Sequence, residues 1–109
     1  MTGMEALPEI LTQHLDEVRA LCEKYRVKRL AIFGSAVKGT FDPATSDLDF
    51  VVEFEDDVFG LDGWNAYFGL KFALEDLFAR HIDLVEWSAV RNPYFRQVLE
   101  LTQRDLYAA

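Results

Sequence analysis

The chain has 109 residues, half of them hydrophobic, with 11 basic and 19 acidic side chains and a net charge of −8. That length predicts one domain, residues 1–109, with a real core, and the apolar content excludes disorder. The acidic balance argues against a nucleic-acid-binding surface, which needs a basic patch. No apolar run approaches the roughly 18 residues of a membrane span, and the start is not signal-like. A single cysteine, Cys22, excludes an internal disulfide framework and fits a reducing cytoplasm.

Met4 to Tyr25 reads as an amphipathic helix, with Leu7, Ile10, Leu11, Leu15, Val18, Leu21, Cys22 and Tyr25 at helical spacing. Glu5 and Glu9 near its start and Lys24 and Arg26 near its end suit the helix dipole. Cys22 lies on the apolar stripe as a small core residue, and His14 sits at its boundary.

Arg29 to Phe33 reads as a strand ending at Gly34-Ser35. The stretch from Gly34 to Gly39 leaves it and opens a short helix. Gly34 lets the backbone approach a ligand closely, free N–H groups at a helix start suit phosphate, and Ser35 and Lys38 add a hydroxyl and a positive charge. Asp42-Pro43 marks a turn. Thr45 and Ser46 are polar, close to the carboxylates at positions 47 and 49, and suited to local bonds with the backbone.

Asp47 to Phe54 is the second expected strand. Asp47 and Asp49, two apart, project from one face about 6.6–6.8 Å from each other along it. Paired carboxylates repel, and a hard divalent cation is the natural counter-charge. One loop thus offers phosphate donors while the next strand offers metal ligands, which suits transfer of a phosphate-containing group. The acidic run Glu53, Glu55, Asp56, Asp57 reads as a solvated strand end.

Gly60 and Gly63 bracket a loop-to-helix junction, and a long helix runs to about Arg80. Ala66, Leu70, Ala73, Leu74 and Leu77, extended by Tyr67 and Phe78, form an apolar arc to face the sheet. Leu61, Trp64, Phe68 and Phe72 form a second stripe, which is either additional core or a partner-binding face. His81 to Trp87 is the third strand. Ile82 and Leu84 fall on one face, and His81, Asp83, Val85 and Trp87 on the other. An aspartate in an apolar strand is expensive unless paired or metal-bound. Glu86 is a fallback carboxylate, on the opposite face. Ser88 can cap the segment after this strand, Asn92-Pro93 signals a turn or first turn, and Tyr94 to Leu101 reads as a short helix. Arg91 and Arg96 read as surface charges within reach of an anionic ligand, and Thr102 to Ala109 is weakly patterned.

Gly34-Ser35, Gly39 and Ser46-Asp47-Leu48-Asp49 resemble the GS…G…SDxD signature of the DNA polymerase beta-like nucleotidyltransferases, and the size resembles the minimal nucleotidyltransferase (MNT) domains, many of them antitoxins encoded beside HEPN-domain toxins. Many members carry a basic residue after the GS pair, where this chain has Ala36. The resemblance implies an α/β (α+β) fold, a small mixed sheet with helices packed on it, in the order α, β, short α, β, α, β, α. It implies that Asp47, Asp49 and Asp83 are catalytic and hold two Mg²⁺ ions about 3.5–4 Å apart. Asp83 would take the acceptor hydroxyl proton, and Gly34, Ser35, Lys38 and Ser46 would hold the triphosphate of ATP. The implied activity is AMP transfer to a hydroxyl, a tyrosine, of a partner HEPN toxin; if the second stripe is a partner-binding face, Trp64, Phe68 and Phe72 are where that partner would dock. The alternative is an antitoxin that acts mainly by binding. Transfer onto a small molecule fits less well, because that role usually comes with an additional acceptor-binding domain.

Overall fold

The computed structural model describes residues 7–109. Its elements are α1 (Glu9–Thr12), α2 (Leu15–Lys24), β1 (Val27–Phe33), α3 (Ser35–Lys38), β2 (Leu48–Phe54), α4 (Gly60–Phe78), β3 (Ile82–Glu86), a 3₁₀ turn (Trp87–Ala89), α5 (Pro93–Thr102) and β4 (Arg104–Ala108). They make an α+β fold around one four-stranded mixed sheet in the order β3-β2-β1-β4. β1 pairs antiparallel with β2 and β4, and β2 runs parallel to β3. Parallel neighbours need a long crossover, and the 19-residue α4 supplies it.

The central strands are buried on both faces, which is why they read as continuous apolar runs. On one face Leu30, Ile32, Leu48, Phe50, Val52, Ile82 and Leu84 pack with Val18 and Cys22 of α2 and Leu70, Leu74 and Phe78 of α4. Several of these are fully buried, and each such side chain contributes about 1.5–3 kcal/mol. On the other face Ala31 and Val51 pack under Val90 and, from α5, Leu99. The expected arc of α4 does face the sheet. Its second stripe does not: Leu61, Trp64 and Phe72 are 75%, 64% and 57% exposed.

The first helix is two. His14 turns its ring onto the Ile10 carbonyl at 2.8 Å, while its backbone N–H bonds to Leu11 instead. The side chain takes the acceptor that a continuing helix would use, so the chain breaks at Gln13-His14 and α2 starts afresh. The expected start, Met4 to Ala6, lies outside the described residues. The cap of α5 is Asn92, whose carboxamide oxygen accepts from Tyr94 and Phe95 N–H, rather than Ser88. The tail forms β4 on the free side of β1, a strand that its weak pattern did not announce.

Candidate active site

The carboxylates meet because of strand register. Asp49 stands directly opposite Asp83 on the parallel pair β2–β3, and opposite Phe33 on the antiparallel pair β1–β2. Asp47 lies one residue ahead of β2, not within it. Among the described residues, Asp47, His81 and Asp83 each offer a ligand atom within 4.8 Å of the others. The three expected carboxylates therefore do come together, and Glu86 does not join them: it pairs with Val52 two rungs past the Phe50–Leu84 pair, and accepts from the Ser88 hydroxyl.

Burial of Asp49 and the Asp83 carboxyl hydrogen-bonded to it push the Asp49 pKa up to about 6, with the Asp47 charge adding to the effect. Carboxylates this close share a proton unless a cation neutralises them. Hard oxygen donors on one sheet face suit a divalent ion.

Gly34 begins the adjoining turn with φ 75° and caps α3. A Cβ built there would overlap the Asp49 carboxylate oxygen. The space that a glycine leaves open is filled by Asp49 itself, so the turn and the carboxylate pack directly against each other at this residue. Ser35 and Ala36 open α3, and their N–H groups have no intrahelical acceptor. Ala36 is buried, so this backbone has no room for a long basic side chain there, and Lys38 is exposed in the last turn. The Ser46 hydroxyl accepts from the Asp42 N–H at 2.9 Å, which shapes the loop and leaves its own proton free to donate.

Two further residues belong to the site that the sequence pattern does not single out. His81 Nδ1 lies 3.3 Å from an Asp47 oxygen; its even offset from Asp83 was the available signal. Arg80 donates to the backbone carbonyls of Pro43 and Ser46 at 2.8 and 2.9 Å and lies over the Phe41 ring, tying down the loop before Asp47. No sequence pattern announces such a long-range tether. Arg96, by contrast, stacks on Trp87 at 4.3 Å and is held there.

The model of the nucleotidyltransferase domain family matches residues 17–103, from α2 through α5. This chain belongs to that family. It is an enzyme of nucleotidyltransferase type, with the minimal form of the fold. A Methanocaldococcus jannaschii protein, provisionally named a protein adenylyltransferase, is 34% identical over 92% of this chain and 94% of its own. A solved structure provisionally described as a minimal nucleotidyltransferase superposes with a TM-score of 0.71 and 30% identity, covering 88% of this chain and 92% of that one. A second, a tri-AMPylated Shewanella oneidensis HEPN toxin in complex with an MNT antitoxin, matches with a TM-score of 0.56 and 19% identity over 90% of this chain and 72% of that one. At that identity the likeness concerns the fold.

Proposed function

We propose that the chain transfers AMP from ATP, with Mg²⁺, to a tyrosine hydroxyl of a partner HEPN toxin and so acts as its antitoxin. The observation that carries this reading is the convergence of Asp47, Asp49 and Asp83 beside the Gly34–Ser35 turn. Divalent ions bound there would activate the acceptor hydroxyl and neutralise charge on the pyrophosphate leaving group. Asp47, Asp49 and Asp83 are the residues that would hold them. Gly34 and Ser35 orient the triphosphate through backbone N–H groups and the Ser35 hydroxyl, and Lys38 and the Ser46 hydroxyl assist. Asp83, on the open edge strand β3, takes the proton as the acceptor oxygen attacks the α-phosphate.

The partner assignment draws on charge and on an aromatic surface. An acidic chain of net charge −8 attracts a basic RNA-cleaving protein and repels a nucleic-acid acceptor. Trp64, Phe68 and Phe72 form a continuous ladder with ring centroids 4.8 and 5.9 Å apart along the outer side of α4. Next to it, a groove of about 640 Å³ lies between the start of α4 and β3. An exposed aromatic cluster of this kind marks a contact surface.

Incubation with ATP, Mg²⁺ and the HEPN-type protein encoded beside this chain tests the reading by intact mass. Each AMP added raises the partner's mass by one adenylyl unit, and Asp83→Asn abolishes the gain while sparing ATP binding. The exposed aromatic face favours a second reading, inhibition by binding alone. A partner silenced with no change of mass selects it and removes the enzymatic one.

A further inference from the structure

The parallel pairing that sets Asp49 against Asp83 begins at Leu48–Ile82, and Asp47 and His81 are the residues just ahead of it on the two segments. Leu48 N–H bonds to the His81 carbonyl at 3.4 Å, which ties the His81 backbone to the start of β2. Asp47 and His81 meet at this end of the sheet, with His81 Nδ1 3.3 Å from an Asp47 oxygen. Opposite positions on neighbouring strands are about 4.8 Å apart, and alternate positions along one strand about 6.6 Å. The site is thus a four-cornered array with one imidazole among three carboxylates.

We infer that His81 is a nitrogen ligand of the divalent ion held beside Asp47 and Asp83, and that it tips this site toward imidazole-accepting ions such as Mn²⁺ and Co²⁺ relative to Mg²⁺. This rests on the reading that the carboxylates bind divalent ions. Two donors at 2.0–2.2 Å from one ion are about 3 Å apart when they meet at a right angle. His81 Nδ1 and the Asp47 oxygen are 3.3 Å apart, and the Asp83 oxygen is within 4.8 Å of both. Small side-chain rotations therefore close the three atoms on one ion. The ring is free to do so: its side chain is 57% exposed, and Asp47 is its one polar contact among the described residues. The backbone is not free, because the ladder bond holds the His81 carbonyl. A fixed Cα with an unencumbered ring is how a ligand is presented. Mixed nitrogen and oxygen sites rank first-row ions upward from Mn²⁺ to Co²⁺, whereas Mg²⁺ keeps oxygen and water.

The test uses the whole chain with Mn²⁺ alone, no nucleotide, and pulsed electron paramagnetic resonance to detect ¹⁴N coupling at the bound ion. Wild type shows nitrogen modulation, and His81→Ala loses it. Titrations read by calorimetry show Mn²⁺ and Co²⁺ affinity falling about tenfold or more in His81→Ala, with Mg²⁺ affinity little changed. Because the side chain is exposed, the variant melts with wild type; His81→Gln provides a second removal of the imidazole should Ala perturb the turn. Bound Mn²⁺ without nitrogen coupling, or equal losses for all three ions, overturns the assignment and leaves His81 as an ion-pair neighbour of Asp47. Absence of Mn²⁺ binding in wild type instead overturns the carboxylate metal site itself.

Discussion

Asp49 and Asp83 sit opposite one another on parallel strands, so two carboxyl groups face each other across one rung of the sheet. Directly opposed like charges destabilise a sheet pair. In the metal-free protein this pair is a cost that β2 and β3 carry, and the direction of that cost with pH is fixed. The Asp49 pKa rises in the fold from 3.8 to about 6. A raised carboxylate pKa stabilises the fold below the unfolded value and loses that stabilisation as pH climbs through the folded one.

Metal-free melting temperature should therefore fall as pH rises from about 4 to above 6, all else equal, and divalent ions should restore it at pH 7.5. A shift of that size is worth about 3 kcal/mol at full burial; screening of a partly exposed group reduces it to about 1 kcal/mol. Asp49→Asn should raise metal-free stability at pH 7.5 by about that amount while abolishing coupled Mg²⁺ and ATP binding. Near pH 6, ion binding should release protons, read by calorimetry in buffers of different ionisation enthalpy. A stability profile that is flat across this window, with no proton release, would refute the assignment.

Gly34→Ala should destabilise by about 1–3 kcal/mol, since φ is 75° and the new methyl overlaps the Asp49 carboxylate. The variant should also lose metal binding, because Asp49 must move. Ser35→Ala should cost only about 0.5–1.5 kcal/mol of nucleotide affinity and leave the fold intact. The two effects at Gly34 separate in a cycle: Asp49→Ala in the Gly34→Ala background should relieve the overlap but not the backbone strain. If Asp49→Ala recovers nothing, the overlap is not what matters.

Phe72→Asp tests the aromatic face. Phe72 and Trp64 are exposed, while Phe68 between them is half-buried. A surface change costs within about 0.5 kcal/mol, a shift of roughly 2–4 °C for a domain of this size. The complex with the proposed toxin partner should weaken strongly on native gels or in gel filtration. A melting temperature that collapses would mean the side chain is core after all.

Legibility in the sequence tracks the range of the interaction. Asp47, Asp49 and Asp83 were legible because alternation on a strand is local and charges in apolar runs stand out. The stripes of α4 were legible for the same reason, although only exposure decides that Trp64 and Phe72 face outward. The break at His14 was not legible: it depends on one ring bonding to a carbonyl four residues back. β4 was missed because Leu106 is its single buried side chain, too little for a periodic signal. His81 was visible as a face-mate of Asp83, but its meeting with Asp47 depends on strand pairing.

Arg80 should prove a positioning residue for Asp47. Ala79, in the left-handed conformation at φ 53°, ends α4 and delivers Arg80 to the loop between α3 and β2. The guanidinium reaches two carbonyls at once, those of Pro43 and Ser46, the second belonging to the residue before Asp47. Arg80→Met keeps the apolar stem and loses both bonds, so the loop should exchange its amide protons faster around residues 42–47. Divalent affinity should fall about tenfold, the scale on which supporting contacts act on a metal site. The variant Arg80→Lys separates geometry from charge. Lysine keeps the positive charge but not the planar fork that spans two acceptors. It should resemble Arg80→Met in exchange and affinity. Wild-type behaviour of Arg80→Lys would show that the charge near the carboxylates, and not the tether, is what Arg80 supplies.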